Sequence, residues 1–262
     1  MGVGGTSGGA RHPRRWVRAD QRTLIIVVVA VALIAILLRT HKLSSIEIIY
    51  FCVLIPSIIL HELSHGVVAL AFGDDTAKRA GRLTLNPVKH VDPVGTLLVP
   101  AVLSLSGIGA YGWAKPVPVS TNRLRSPRNH TVIVSLVGPL TNFALAAILG
   151  VVLVATTPKA TLQQIHYIWS LGGGAYPPSL GGKILFIGGI ANIVLGVFNL
   201  IPCPPLDGAS VLERFLPARS LPRYYSLQPA LMFLSFLLIL LFHNQWSELI
   251  VHVITWWSGL LA

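Results

Sequence analysis

Long apolar runs separated by short polar or Gly/Pro-rich breaks dominate the chain, and their lengths predict its elements. The first run, 24–38, follows a Gly/Ser-rich stretch carrying Arg11, Arg14, Arg15, Arg18 and Arg22. No small-x-small site comes after it; Arg39, Thr40, His41 and Lys42 do. It therefore reads as a short membrane span, with residues 1–22 as a basic cytoplasmic tail. A second run, 45–72, would be roughly 42 Å long as a helix, more than a ~30 Å hydrocarbon core requires. Pro56 removes one of its hydrogen bonds and predicts a bend. Further spans are expected at 131–156, 184–200 and about 228–242, with 246–261 either returning through the bilayer or lying on its surface.

Two stretches break this helical rhythm. Residues 81–87 alternate apolar and polar and close on Asn86-Pro87, which predicts a short strand and turn. Residues 111–119 form a second extended candidate, confined by Pro116 and Pro118 to an edge or a loop. Between them, 94–110 is apolar but rich in Gly and Ser, with Lys78, Arg79 and Arg82 on one side and Lys115, Arg123, Arg125 and Arg128 on the other. A full crossing would place one basic flank outside, so a re-entrant dip from the cytoplasmic side is expected. Residues 158–182 read as an outer loop with almost no charge. The predicted fold is an all-α polytopic membrane protein of about six membrane segments, one re-entrant, with a small membrane-associated β-hairpin or sheet. Residues 23–262 form one membrane-embedded domain in this reading.

Composition agrees: 53% of residues are hydrophobic and 11% charged, against roughly 25% charged in soluble domains. The net charge of +11 comes from basic residues in the loops between apolar runs, without aromatic interleaving. Positive-inside topology accounts for it, and nucleic-acid binding is not expected. Cys52 and Cys203 match neither a disulfide framework nor a Cys-based zinc site.

The chemistry centres on His61-Glu62-Leu63-Ser64-His65. Imidazoles at i and i+4 share one helix face and can reach a single metal ion, while Glu62 stands where a zinc-bound water needs a base. The motif lies deep in an apolar span, where ionisable side chains are costly and a functional reason is the default. A hydrolytic zinc site needs a third protein ligand. His90, His130, His166, His243, His252, Asp92 and Asp207 are chemically eligible. Asp207 ranks first, because it follows the span 184–200, whose Gly188, Asn192 and Gly196 form a close-packing ridge, and because Pro202, Pro204 and Pro205 hold the chain extended before it. The same position would let Asp207 cap a short helix at 209–216. Asn142 and Asn199 are membrane-embedded amides that could serve an oxyanion or position substrate, or simply tie helices together. Leu83, Thr84 and Leu85 are candidates for an edge strand that pairs with unwound substrate. Residues 94–119 are candidates for lining a water path. His90 is a weaker candidate for an extra ligand.

Three stretches together resemble the site-2 proteases, the intramembrane zinc metalloproteases: His61-Glu62-Leu63-Ser64-His65, Gly138-Pro139-Leu140-Thr141-Asn142, and Asn199-Leu200-Ile201-Pro202-Cys203-Pro204-Pro205-Leu206-Asp207-Gly208. Residues 81–87 and 112–119 resemble a compact prokaryotic branch without PDZ or CBS domains. The resemblance implies one Zn2+ per chain held by His61, His65 and Asp207, with Glu62 as catalytic acid/base. It also implies a transmembrane-helix substrate cut within the bilayer; the basic loops place the N-terminus and the site's opening on the cytoplasmic side of what reads as a prokaryotic cell membrane. Two other classes stay open at this stage, a metal or ion transporter and a catalytically silent scaffold that binds membrane helices. Glu62→Gln separates transport from proteolysis, and an activity assay excludes the scaffold.

Overall fold

The computed structural model describes Val28, Ala32, Ile36, residues 44–98 and residues 115–262. Among residues 44–98 and 115–262, eight α-helices follow in order: α1 (Ser45–Ala71), α2 (Thr76–Arg79), α3 (Pro127–Thr156), α4 (Lys159–Ser170), α5 (Leu180–Asn199), α6 (Gly208–Phe215), α7 (Leu221–Leu241) and α8 (His243–Leu261). Helices α1, α3 and α5 are long and apolar enough to cross a membrane. The shortest, α5 with 20 residues, is about 30 Å long, the thickness of the hydrocarbon core.

Local chemistry explains the helix ends. Ser44 and Glu47 form a reciprocal capping box at the start of α1, with Glu47 N–H donating to Ser44 Oγ (3.3 Å) and Ser44 N–H to Glu47 Oε2 (2.5 Å). Pro127 opens α3 at a position whose N–H no helix needs. Pro56 and Pro139 lie inside α1 and α3, which continue through them.

The heart of the bundle is α3 packed along α5, with α1 against both. Glycines on α5 set the spacing, as the ridge reading expected. A Cβ on Gly188 would stand 3.0 Å from Leu149 and 3.1 Å from Val53, and one on Gly196 would stand 2.7 Å from Phe143. A separate apolar cluster joins Leu153, Phe186 and Ile190 to Leu162, Trp169 and Trp257, contributed by α4 and α8.

Two expectations are corrected. Residues 158–182 are not simply a loop, because α4 occupies Lys159–Ser170 and buries Leu162, Ile165 and Trp169. Their i, i+3, i+7 spacing gives a short amphipathic helix a face to bury. The strand expected at 81–87 is not one, and no strand occurs among the described residues. Its backbone is claimed locally: Thr84 N–H donates to Arg82 O (3.0 Å), Asn86 N–H to Thr84 Oγ1 (3.2 Å) and Val88 N–H to Asn86 Oδ1 (3.0 Å). Short polar side chains thus offer the main chain an alternative to a ladder. The tail 1–22, most of the span 24–38 and most of the dip 94–110 lie outside the described residues.

Candidate metal centre

Helix α1 carries His61 and His65 one turn apart, both buried. Their rings meet edge to face with centroids 4.7 Å apart, and their Nε2 atoms are 3.1 Å apart. Asp207 arrives from 142 positions further along, at the turn between α5 and α6. Its Oδ2 lies 3.0 Å from His61 Nε2 and 3.4 Å from His65 Nε2. These are the residues that converge as a metal-ligand group among the described ones.

Asp207 occupies the N-cap position of α6 but makes no capping hydrogen bond, so its carboxylate is free to face the histidines. The turn can fold back this tightly because residue 208 is glycine. A Cβ there would stand 2.3 Å from the Leu200 carbonyl oxygen and 2.5 Å from that of Ile201.

The donor set fits a cation. His65 Nδ1 is 2.6 Å from Val134 O, and a carbonyl only accepts, so the ring proton is on Nδ1 and Nε2 presents a lone pair. His61 Nδ1 faces Asn142 Oδ1 at 2.5 Å, with the same consequence. Asp207 Oδ2 is buried and receives no hydrogen bond among the described residues. With each ring as its neutral Nδ1–H tautomer, three lone-pair atoms converge within hydrogen-bond distance of one another, as a metal site requires. Ligands roughly 2.0–2.1 Å from zinc on tetrahedral corners stand about 3.3–3.4 Å apart, close to the three separations observed. Gly138 keeps the space open, since a Cβ there would come within 2.5 Å of His65 Nε2 and 2.6 Å of His61 Nε2.

Glu62 is half-buried beside this group and accepts a hydrogen bond from Val117 N–H at 2.7 Å. Val117 stands between Pro116 and Pro118, and proline biases the residue before it toward extended backbone. The strap is pinned on its other side by Arg82, which donates to Lys115 O (2.7 Å), and by Lys115 N–H, which donates to His90 O (2.9 Å). Residues 115–119 thus do for Glu62 what no spacing in the sequence announced.

The other described ligand candidates fall elsewhere, and the His243 side chain lies outside the described residues. His90 turns Nε2 to Thr84 O at 2.9 Å, and its Nδ1 is buried without a partner among the described residues, so it belongs to the loop. His130 accepts from Ser126 N–H and stacks on Phe72. His166 meets Ser258, and His252 meets Glu248 O. Asp92 accepts from Val94 and Gly95 N–H. Asn142 holds His61 and has its Nδ2 committed to Asn192 (2.8 Å), whereas Asn199 turns Nδ2 to Leu195 O (3.0 Å) one turn back. Thr84 has both N–H and C=O engaged, and Leu83 packs over Gly66 of α1, so this segment presents no ready edge.

Two buried histidines on a membrane-length helix, met by Asp207 from a turn and flanked by Glu62, form a group that could hold a metal ion in a membrane protein. The chain belongs to Peptidase family M50, the site-2 proteases, whose family model matches residues 49–242. It is 40% identical over 164 residues to "Putative zinc metalloprotease YwhC" of Bacillus subtilis, covering 63% of this chain and 67% of that one. It is 31% identical over 213 residues to "Putative zinc metalloprotease Rip2" of Mycolicibacterium smegmatis, covering 79% and 74%. Among solved structures, a site-2 protease from Methanocaldococcus jannaschii matches 90% of this chain and 87% of that one at 19% identity, with a TM-score of 0.42. This protein is a site-2-protease-like zinc metalloprotease of the membrane.

Proposed function

We propose that this protein hydrolyses peptide bonds within or near the transmembrane helix of membrane-protein substrates, with His61, His65 and Asp207 holding one zinc ion and Glu62 moving the proton. The convergence of three lone-pair atoms beside Glu62, within membrane-length helices, carries the reading. Zinc bound there would polarise the attacking water and the scissile carbonyl. Glu62 takes the proton of that water and returns it to the leaving amine. Val117 N–H holds one carboxylate oxygen, which leaves the other to face the water. Asn199 is the candidate for the carbonyl oxygen, since one Nδ2 proton is left after its bond to Leu195. A substrate helix hides its peptide bonds behind internal hydrogen bonds and must unwind before cleavage. Residues 83–85 would have to release their local bonds to pair with it.

The site opens toward the cytoplasm in this proposal. Arg123 pairs with Asp75 (2.9 Å), Arg125 N–H donates to Phe72 O (3.0 Å) and Arg128 donates to Leu216 O (2.8 Å). The basic loops therefore share the end of the bundle that carries Asp207, as the positive-inside bias requires of a cytoplasmic face.

Two variants purified in detergent test the proposal. Wild type should hold about one zinc per chain and Asp207→Ala close to none; full retention would remove Asp207 from the site. Glu62→Gln should keep the metal and lose about a hundred- to ten-thousand-fold in cleavage of a reconstituted transmembrane substrate. Near-normal cleavage by that variant would remove Glu62 from the proton's path.

A further inference from the structure

His65 is oriented by main chain, but His61 is oriented by a chain of buried side chains from three helices. His61 Nδ1 faces Asn142 Oδ1 (2.5 Å), Asn142 Nδ2 donates to Asn192 Oδ1 (2.8 Å), and Asn192 Nδ2 donates to both Ser57 Oγ (2.9 Å) and Gly188 O (2.9 Å). Ser57 in turn donates its hydroxyl proton to Val53 O at 2.9 Å. Asn142, Asn192 and Ser57 are 0%, 1% and 4% exposed, so water does not compete for any of these groups.

The direction of this relay follows from its far end. Gly188 O is a carbonyl and only accepts, so the Asn192 atom facing it is the amide nitrogen. The Ser57 hydroxyl has its one proton on Val53 O and can only accept from Asn192, which requires the same orientation. Asn192 therefore turns its oxygen to Asn142, which must answer with nitrogen and turn its own oxygen to His61. An oxygen there requires the imidazole proton on Nδ1 and leaves Nε2 as the bare, metal-facing atom. Flipping either amide would set two acceptors or two donors face to face in a dry interior.

We infer that Asn192, anchored by Ser57 and the Gly188 carbonyl, is a positioning residue for the metal centre: acting through Asn142, it holds His61 in the ring orientation and tautomer that present Nε2 to the metal. The inference rests on His61 being a zinc ligand. It assigns a role to two residues outside the three motif stretches, and it ties α5 to the metal centre through α3. Partners of a ligating histidine typically contribute ten- to a hundred-fold to metal affinity.

The test measures zinc affinity by chelator competition, and the visible spectrum after Co2+ replacement, on the purified full chain in detergent. Asn192→Leu should weaken zinc by about ten- to a hundred-fold and change the Co2+ bands. Ser57→Ala, which removes one of two anchors and little volume, should give a smaller change of the same kind and serves if Asn192→Leu does not fold. Ile193→Ala is the packing control, since Ile193 is buried in the apolar cluster on another face of α5. It should lower the melting temperature and leave affinity and spectrum alone. If the folded Asn192 and Ser57 variants bind zinc as tightly as wild type, with unchanged Co2+ bands, the inference is wrong and the relay only packs helices. His61→Ala distinguishes failure of the site itself: if it keeps wild-type zinc affinity, His61 is no ligand, whatever the other variants do.

Discussion

Two faces of α5 carry opposite chemistry at the same depth in the bundle. One turns Gly188, Asn192 and Gly196 to α1 and α3, where Asn142, Ser57 and His61 form an unbroken line of hydrogen bonds. The other turns Phe186, Gly189, Ile190 and Ile193 to a cluster built around Trp257, with Leu153 and Ile254. The first face holds polar groups in a dry interior and is tolerable only because each of its polar atoms meets a hydrogen-bond partner. The second is mainly apolar and contributes stability through buried area, although it also buries the Trp257 indole N–H without a partner among the described residues. Damage to the polar face should therefore register as lost metal, and damage to the apolar face as lost stability.

The largest effect should come from Gly138→Ala. The added methyl would fall within 2.6 Å of both metal-facing nitrogens, so metal content should drop from about one to near zero and proteolysis with it, while helical content by circular dichroism stays near wild type. Full zinc occupancy in this variant would mean that the imidazoles do not face Gly138. On the apolar face, Trp257→Ala should destabilise by about 3–5 kcal/mol, read as a lower melting temperature in detergent. Its zinc affinity at low temperature should match wild type; a large loss of affinity would dissolve the distinction between the two faces.

The smallest effect sharpens the comparison from outside the bilayer. Asp74 is fully buried at the end of α1 and accepts from Ser120 N–H (2.6 Å), Thr76 N–H (3.0 Å) and the Thr76 hydroxyl. Burial by itself raises its pKa, but the Thr76 hydroxyl, the two N–H groups and nearby Arg79 outweigh that and hold it below the ordinary value. The unfolded chain therefore binds this proton at higher pH than the folded one does. Asp74 stabilises fully above the usual carboxylate pKa of about 3.9, and that contribution disappears as pH falls through its lower folded value. Asp74→Asn should cost about 1–2 kcal/mol at neutral pH and flatten the acid limb of a stability curve.

The metal-site reading was legible where the governing geometry is local. His61 and His65 share a face because a helix repeats every 3.6 residues, and the apolar runs become α1, α3 and α5 because backbone in lipid must satisfy itself. Glycines four apart on α5 announced a close approach, which Val53, Leu149 and Phe143 fill. Spacing carried no such information for residues 81–87, because apolar alternation could not reveal that Thr84, Asn86 and His90 would claim the backbone first. Helix α4 was missed because its apolar positions matter only once α8 lies beside them.

What the chain by itself determined is thus the three membrane-length helices α1, α3 and α5, the paired imidazoles and the proline-bound turn before Asp207, each a consequence of contacts a few residues apart. Only the tertiary structure brought Asp207, already first among the eligible side chains in sequence, against the two imidazoles, gave Asn142 to His61, and placed Val117 on Glu62. Those contacts join positions 55 to 146 apart in sequence. They depend on how closely α1, α3 and α5 can pack, which is a property of three helices together and of no one segment.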